Sequence, residues 1–237
     1  MCLLNLCLEI LYRDEYLAAV NKPHGLAVHR SPYVGDADNY ALQLLRDQLG
    51  MLVYPCHRLD RKTGGILLFA LREKINGLVQ NQFAANQVSK KYLAIVRGYT
   101  DITGMINYPL TDNMGKKQDA ETQYKMLKKS EIPFPSGKFN TSRYSLVEVS
   151  PHNGRMHQIR KHFAHIKHPV IGDLRYGCNK QNRFFKQQYN LTIMMLHATE
   201  LTFQHPVSGE KIKIQSGLHP EFRQILKFLN LEPENQE

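Results

Sequence analysis

One aspartate offers the clearest chemistry in this chain. Asp60 lies between Arg58 and Arg61 in His57-Arg58-Leu59-Asp60-Arg61-Lys62-Thr63-Gly64-Gly65, and the apolar run Ile66 to Ala70 follows directly. Cations on both sides favour an ionised carboxylate, which can act as a nucleophile or a base. An ion pair or a turn cap is the commoner occupation of a loop aspartate, and composition alone leaves both open. A second set is Lys90-Lys91-Tyr92, two cations before an aromatic ring. Taken by itself, Tyr92 reads as a core tyrosine with its hydroxyl bonded. A third set is Arg155-Met156-His157-Gln158-Ile159-Arg160. Arg160 sits at the margin of a helical stripe formed by Met156, Ile159, Phe163 and Ile166, where a guanidinium either snorkels into water or reaches inward to a carboxylate. His152, His157, His162, His165 and His168 crowd the same stretch. No cysteine or acidic ligand accompanies the three-residue steps, so this is not a zinc pattern and no metal is expected.

These residues need elements to hold them. Leu8 to Tyr12 and Tyr16 to Val20 read as strands joined by a polar turn, and Asn21-Lys22-Pro23-His24-Gly25 forces a loop. Asn39 to Leu49 fits a helix stopped by Gly50, and Arg72 to Asn86 a second, with Ile75, Leu78, Val79 and Phe83 on one face. The run after Gly64-Gly65 is too short to span a membrane and reads as a buried strand. Val88 to Tyr99 and Ser142 to Val149 are strands, the latter ended by Asn153-Gly154, and a helix opens at Arg155. Asp101 to Lys138 reads mainly as exposed loops, with one strand from Ala120 to Lys128. Asn179 to Tyr189 is polar and basic. Strands fall within Ile193 to His205 and Glu210 to Gln215, a short helix spans Pro220 to Leu229, and the tail from Glu232 frays. Hairpins and polar turns among interspersed helices predict an α+β fold with a mixed, mainly antiparallel central sheet and flanking helices. No linker divides the chain, so one domain is expected, with a core from about residue 8 to residue 229.

The order His-Arg-Leu-Asp, then Thr and Gly, then an aliphatic strand resembles the catalytic motif of the RluA-type pseudouridine synthases. One departure is Gly64, where that family usually carries a serine. The Lys-x-Tyr-x-Ala setting of Tyr92 and the Gly-Arg-x-His-Gln-Ile-Arg pattern ending at Arg160 resemble two further motifs of the family. Gly25-Leu26-Ala27-Val28-His29-Arg30 is closer to its tRNA pseudouridine synthase C group than to the ribosomal members. The resemblance implies the pseudouridine synthase fold and isomerisation of uridine to pseudouridine without a cofactor. It makes Asp60 the catalytic carboxylate, Tyr92 the ring against the flipped base and Arg160 the partner of Asp60. Arg58 fills the space that the base leaves, while His57, His29, Arg30, Lys90 and Arg155 line the RNA path. Asp173, after Ile171-Gly172, reads as a structural loop residue rather than the second acid of a glycosidase pair.

Composition agrees with an RNA partner. Among 237 residues, Lys and Arg total 31 and Asp and Glu 21, a net charge of +10 that favours a polyanion. Cys2, Cys7, Cys56 and Cys178 form no CxxC pair, which points to a reducing compartment, and Met1 to Leu11 is a poor signal peptide. The expectation is therefore a cytoplasmic, monomeric isomerase with no membrane segment, no obligate protein partner and no separate N-terminal RNA-binding domain. Its expected substrate is tRNA, at uridine sixty-five at the foot of the T-stem. The alternatives are a ribosomal-RNA enzyme of the same family and a non-catalytic RNA-binding protein.

Overall fold

The structure, a computed structural model, describes residues 7–30, 39–135 and 139–232; the tail expected to fray lies almost wholly outside them. In chain order, β1 (Glu9–Arg13) and β2 (Leu17–Lys22) are followed by α1 (Ala41–Leu49), β3 (Tyr54–Pro55), β4 (Gly64–Ala70) and α2 (Glu73–Ala84). Next come β5 (Ser89–Arg97), β6 (Thr103–Asn107), β7 (Leu110–Thr111), β8 (Lys117–Gln118), β9 (Glu121–Ile132), β10 (Ser142–Pro151), α3 (Gln158–His165) and α4 (Asn179–Tyr189). β11 (Leu196–Gln204), β12 (Lys211–Gln215) and α5 (Pro220–Phe228) complete an α+β fold, as the sequence predicts. The chain gathers into two compact units, Met1–Ser89 with Ala198–Gly217, and Lys90–His197 with Leu218–Glu237.

In the first unit β2 pairs antiparallel with both β1 and β4, β11 lies next to β4, and β12 runs antiparallel to β11. β4 carries no polar side chain and every residue of it is buried. Its residues Ile66 and Leu68 pack with Leu17 and Ala19 of β2, Phe203 and Ile214 beyond, and Ile75 and Val79 of α2. The expected apolar face of α2 is narrower than its sequence suggests: Leu78 is 48% exposed. The β1–β2 turn is fixed by Asp14, whose Oδ1 accepts from the amides of Tyr16 and Leu17 at 2.7 Å each. Gly50 ends α1 in the left-handed region, as its position predicts.

In the second unit β10 runs antiparallel between β5 and β9, and β6 pairs on the far side of β9. Strand alternation divides the side chains between two cores. Ala94, Val96, Val147 and Val149 meet Ile159 and Phe163 of α3 on one face. Leu93, Ile95, Tyr144 and Leu146 meet Phe185 of α4 and Phe222, Ile225 and Leu226 of α5 on the other. Two expectations fail in this unit. The stretch from Asp101 to Lys138 is more regular than the exposed loops expected there: the strand expected from Ala120 to Lys128 is β9, which buries Thr122 and Tyr124 while Lys125 and Lys129 are exposed, and β6, β7 and β8 precede it. α3 begins only at Gln158, since His157 holds a left-handed φ of 57°, and Met156 is therefore exposed rather than part of the buried stripe.

Candidate active site

Asp60 is half-buried on a short turn ahead of β4, between exposed Arg58 and buried Leu59. The turn closes through the Thr63 amide, which donates to the Asp60 carbonyl at 3.0 Å. A second loop, after β2, grips it from the side. Gly25 N donates to Arg61 O at 2.9 Å and Arg61 Nε donates back to Gly25 O at 2.9 Å. His24 Nδ1 faces the Lys62 carbonyl at 2.8 Å, so that nitrogen carries the proton. Gly65 has φ +102° and passes so close to β11 that a Cβ there would sit 2.2 Å from the Ala198 carbonyl oxygen. No other residue lets the chain leave the Asp60 turn and enter β4 at this approach.

Beneath this turn lies Lys22, which the sequence shows only as part of a loop-forming Asn-Lys-Pro element. It ends β2 opposite Gly65, and it is fully buried. Its ammonium donates to the carbonyls of Pro23 at 2.9 Å, Leu26 at 2.8 Å and Arg61 at 3.3 Å, tying both loops together. Burial pulls its pKa down to about 7, and the charge of Asp60 acts in the opposite direction. Between about pH 7 and the ordinary lysine value of 10.5 the unfolded chain therefore binds more protons at this site than the folded one. Stability contributed here rises with pH across that window. Lys22→Met, which strands the three carbonyls, is expected to lose on the order of 3 kcal/mol in urea denaturation at pH 8, and to lack the gain that the wild type shows on going from pH 7 to pH 9.

The residues around the aspartate divide by job. His57 Nε2 accepts from the Leu68 amide at 3.1 Å and its ring stacks on Phe83 at 4.8 Å, so it buttresses β4. Arg58 and Arg30 are exposed. His29 is half-buried, and burial and then the Arg58 charge lower its pKa, favouring the neutral ring beside that arginine.

In the second unit Tyr92, half-buried on β5 opposite Val149, packs at the edge of the α3-side core. Arg160 is buried on α3, where it makes a two-pronged pair with Asp173, Nε to Oδ2 at 2.7 Å and Nη2 to Oδ1 at 2.9 Å. Asp173 Oδ1 also accepts from the amides of Arg175 at 2.9 Å and Tyr176 at 3.1 Å. Burial alone would raise the Asp173 pKa, but Arg160 and these donors outweigh it and hold the carboxyl below its usual range. The Arg160 guanidinium also lies 5.1 Å over the Tyr176 ring. The loop residue Asp173 thus proves to be the buried counter-charge of Arg160. α4 fixes that loop: Asn182 Nδ2 donates to Asp173 O at 2.8 Å and Gly172 N donates to Asn182 Oδ1 at 2.9 Å. Lys90 donates to the carbonyls of His152 at 3.4 Å and Asn153 at 3.3 Å, and Arg155 Nε to that of Asp119 at 3.1 Å, so both also brace loops.

Among the described residues no group of three or more His, Cys, Asp or Glu is arranged to hold a metal ion, and no helix is long and apolar enough to cross a membrane. The buried His162 has Nδ1 on Thr122 Oγ1 at 2.9 Å and Nε2 on the Tyr108 carbonyl at 3.0 Å, and burial lowers its pKa. A carbonyl can only accept, so Nε2 carries the proton and the ring is a neutral structural link.

Residues 16–165 match the family model described as RNA pseudouridylate synthase. The tRNA pseudouridine synthase C of Vibrio cholerae is 44% identical over 92% of this chain and 94% of its own length. The tRNA pseudouridine synthase C of Haemophilus influenzae is also 44% identical, over 92% of this chain and 96% of its own. Among solved structures, human RNA pseudouridylate synthase domain containing 4 superposes with a TM-score of 0.75 at 26% identity, covering 95% of both chains.

Proposed function

The chain belongs to the RNA pseudouridylate synthase family, and from that premise we propose that it converts uridine to pseudouridine in tRNA, at uridine sixty-five at the foot of the T-stem. The reaction is an isomerisation. The bond from the sugar C1′ to N1 of the base breaks and a bond from C1′ to C5 forms. The proton on C5 is lost and N1 gains one, so no oxidant, reductant or second substrate is consumed. In the path we favour, the Asp60 carboxylate attacks C1′ and uracil departs. The base then turns, and C5 attacks C1′ to release Asp60. By their places in the family motifs, Tyr92 offers its ring to the flipped base, Arg160 serves Asp60 in addition to its pair with Asp173, and Arg58 enters the gap left in the stem.

The observation that carries this reading is the built turn at Asp60, a half-buried residue on a main chain clasped by bonds between two loops, over a buried lysine. The roles of Tyr92 and Arg160 rest on their places in the family motifs. The tRNA assignment rests on the names of the relatives. A paired target must be flipped at a cost of a few kcal/mol, and a surface with a net charge of +10 supplies phosphate contacts to offset it. We place this work in the cytoplasm, by a monomer.

Incubating the purified protein separately with unmodified tRNA and unmodified ribosomal RNA transcripts, then mapping pseudouridine, tests the substrate. Product at the T-stem uridine of the tRNA is the expected result. Product only in the ribosomal transcript would overturn the substrate and leave the chemistry standing.

A further inference from the structure

The hairpin of β7 and β8 carries a feature that the reaction does not use. At its tip Met114 is 94% exposed. A lone exposed methionine needs no explanation in itself, but this one sits on a tightly built support. Asp112 Oδ1 accepts from the amides of Met114 at 2.9 Å and Lys116 at 3.0 Å, and its Oδ2 accepts from Gln118 Nε2 at 2.9 Å. Asp112 N also donates to Lys116 O at 3.0 Å, and Gly115 takes the left-handed φ of +83° that the tight turn needs. The one carboxylate of the turn is thereby occupied internally. What the tip shows to solvent is Asn113, Met114, Lys116 and Lys117.

The base of the hairpin is locked to α3, the helix that carries Arg160. Lys161 Nζ donates to Thr111 O at 3.0 Å, His162 Nε2 to Tyr108 O at 3.0 Å, and Tyr108 stacks on His165 at 3.7 Å. Leu110 is buried beneath it. A preformed turn that displays one soft apolar side chain, with two exposed lysines just after it, matches an RNA stem. The minor groove of A-form RNA is wide and shallow, with base edges and 2′-hydroxyls open to contact, and phosphates line its rims. We infer that the 110–118 hairpin is a stem-docking element, with Met114 packing into the minor groove of the bound RNA and Lys116 and Lys117 on the flanking phosphates.

This inference rests on the RNA-modifying reading, and its test separates the two. Met114→Glu, Met114→Leu and the double variant Lys116→Ala/Lys117→Ala are compared with wild type on whichever unmodified transcript the wild type converts. KM, kcat, the salt dependence of binding and thermal melting are measured. Met114→Glu is expected to raise KM about tenfold, with kcat within about twofold and melting unchanged, whereas Met114→Leu behaves as wild type. The double lysine variant is expected to flatten the slope of log K against log salt by about 1.5. A Met114→Glu protein with wild-type KM and transcript affinity would overturn the inference. A wild type that converts no RNA would overturn the reading beneath it, and transcript binding by the variants would still decide the hairpin.

Discussion

Asp60→Asn is expected to abolish pseudouridine formation, by on the order of 10⁴-fold or more, while folding and RNA binding persist. The amide keeps the size of the side chain and removes the nucleophile. Three bonds that shape the turn run through main-chain atoms and the Arg61 side chain, from Thr63 N to Asp60 O, Gly25 N to Arg61 O and Arg61 Nε to Gly25 O. The substitution leaves those three bonds in place. One electrostatic side effect follows from Lys22. Losing the Asp60 charge removes the influence that raises the buried ammonium's pKa, so Lys22 binds its proton less tightly in the variant. Product measured by base-resolved mapping, and binding measured by filter retention of the same transcript, separate chemistry from docking. Appreciable turnover by the purified variant would sink the nucleophile assignment.

The Asp60 turn was legible because its signals are local. A charged turn, two glycines and an unbroken apolar run are readable from composition, and β4 is buried along its whole length as that run predicts. The same holds for Gly50 as the stop of α1. Lys22 was illegible for the opposite reason. Lysine is read as a surface residue, and its burial depends on three carbonyls that two different loops bring together only after folding. α4 carries no apolar periodicity because Gln181 and Asn182 occupy buried positions through polar bonds, Gln181 to Tyr144 and Ser142 and Asn182 to the Gly172-Asp173 turn. A search for apolar periodicity passes over a helix that buries amides. β9 is legible from Ala120 to Lys128 because its alternation survives the lysines on its exposed face, whereas the two-residue strands β7 and β8 are too short to show a period. Asp173 lies in a loop, as its place after Ile171-Gly172 predicts, yet its role depends on α3 turning Arg160 inward. Hydrophobic spacing shows which residues flank the buried stripe. It does not show which charged neighbour finds a partner there.

That inward turn makes Arg160 the second residue whose loss is expected to be large. Its guanidinium and the Asp173 carboxylate are both nearly inaccessible, with side-chain exposures of 10% and 1%. Removing one member of such a pair leaves the other charge buried without its match, a change of about 3–5 kcal/mol. Arg160→Ala should therefore shift urea denaturation by that amount. Arg160→Lys should recover only part of it, because an ammonium cannot reproduce the two parallel bonds from Nε and Nη2 to the two carboxylate oxygens. Asp173→Asn tests the same pair from the other side, and the double variant Arg160→Met/Asp173→Asn should be less unstable than the sum of the singles. Stability alone does not decide whether Arg160 also serves Asp60, so kcat must be read on Arg160→Lys at a temperature where that protein remains folded. A fall in kcat of about tenfold or more with KM nearly unchanged is the result expected of a group that acts on the reacting carboxylate. Unchanged kcat together with the full stability loss would confine Arg160 to holding Asp173 and the loop behind it, and the partner of Asp60 would then have to be sought elsewhere, with Lys22 first.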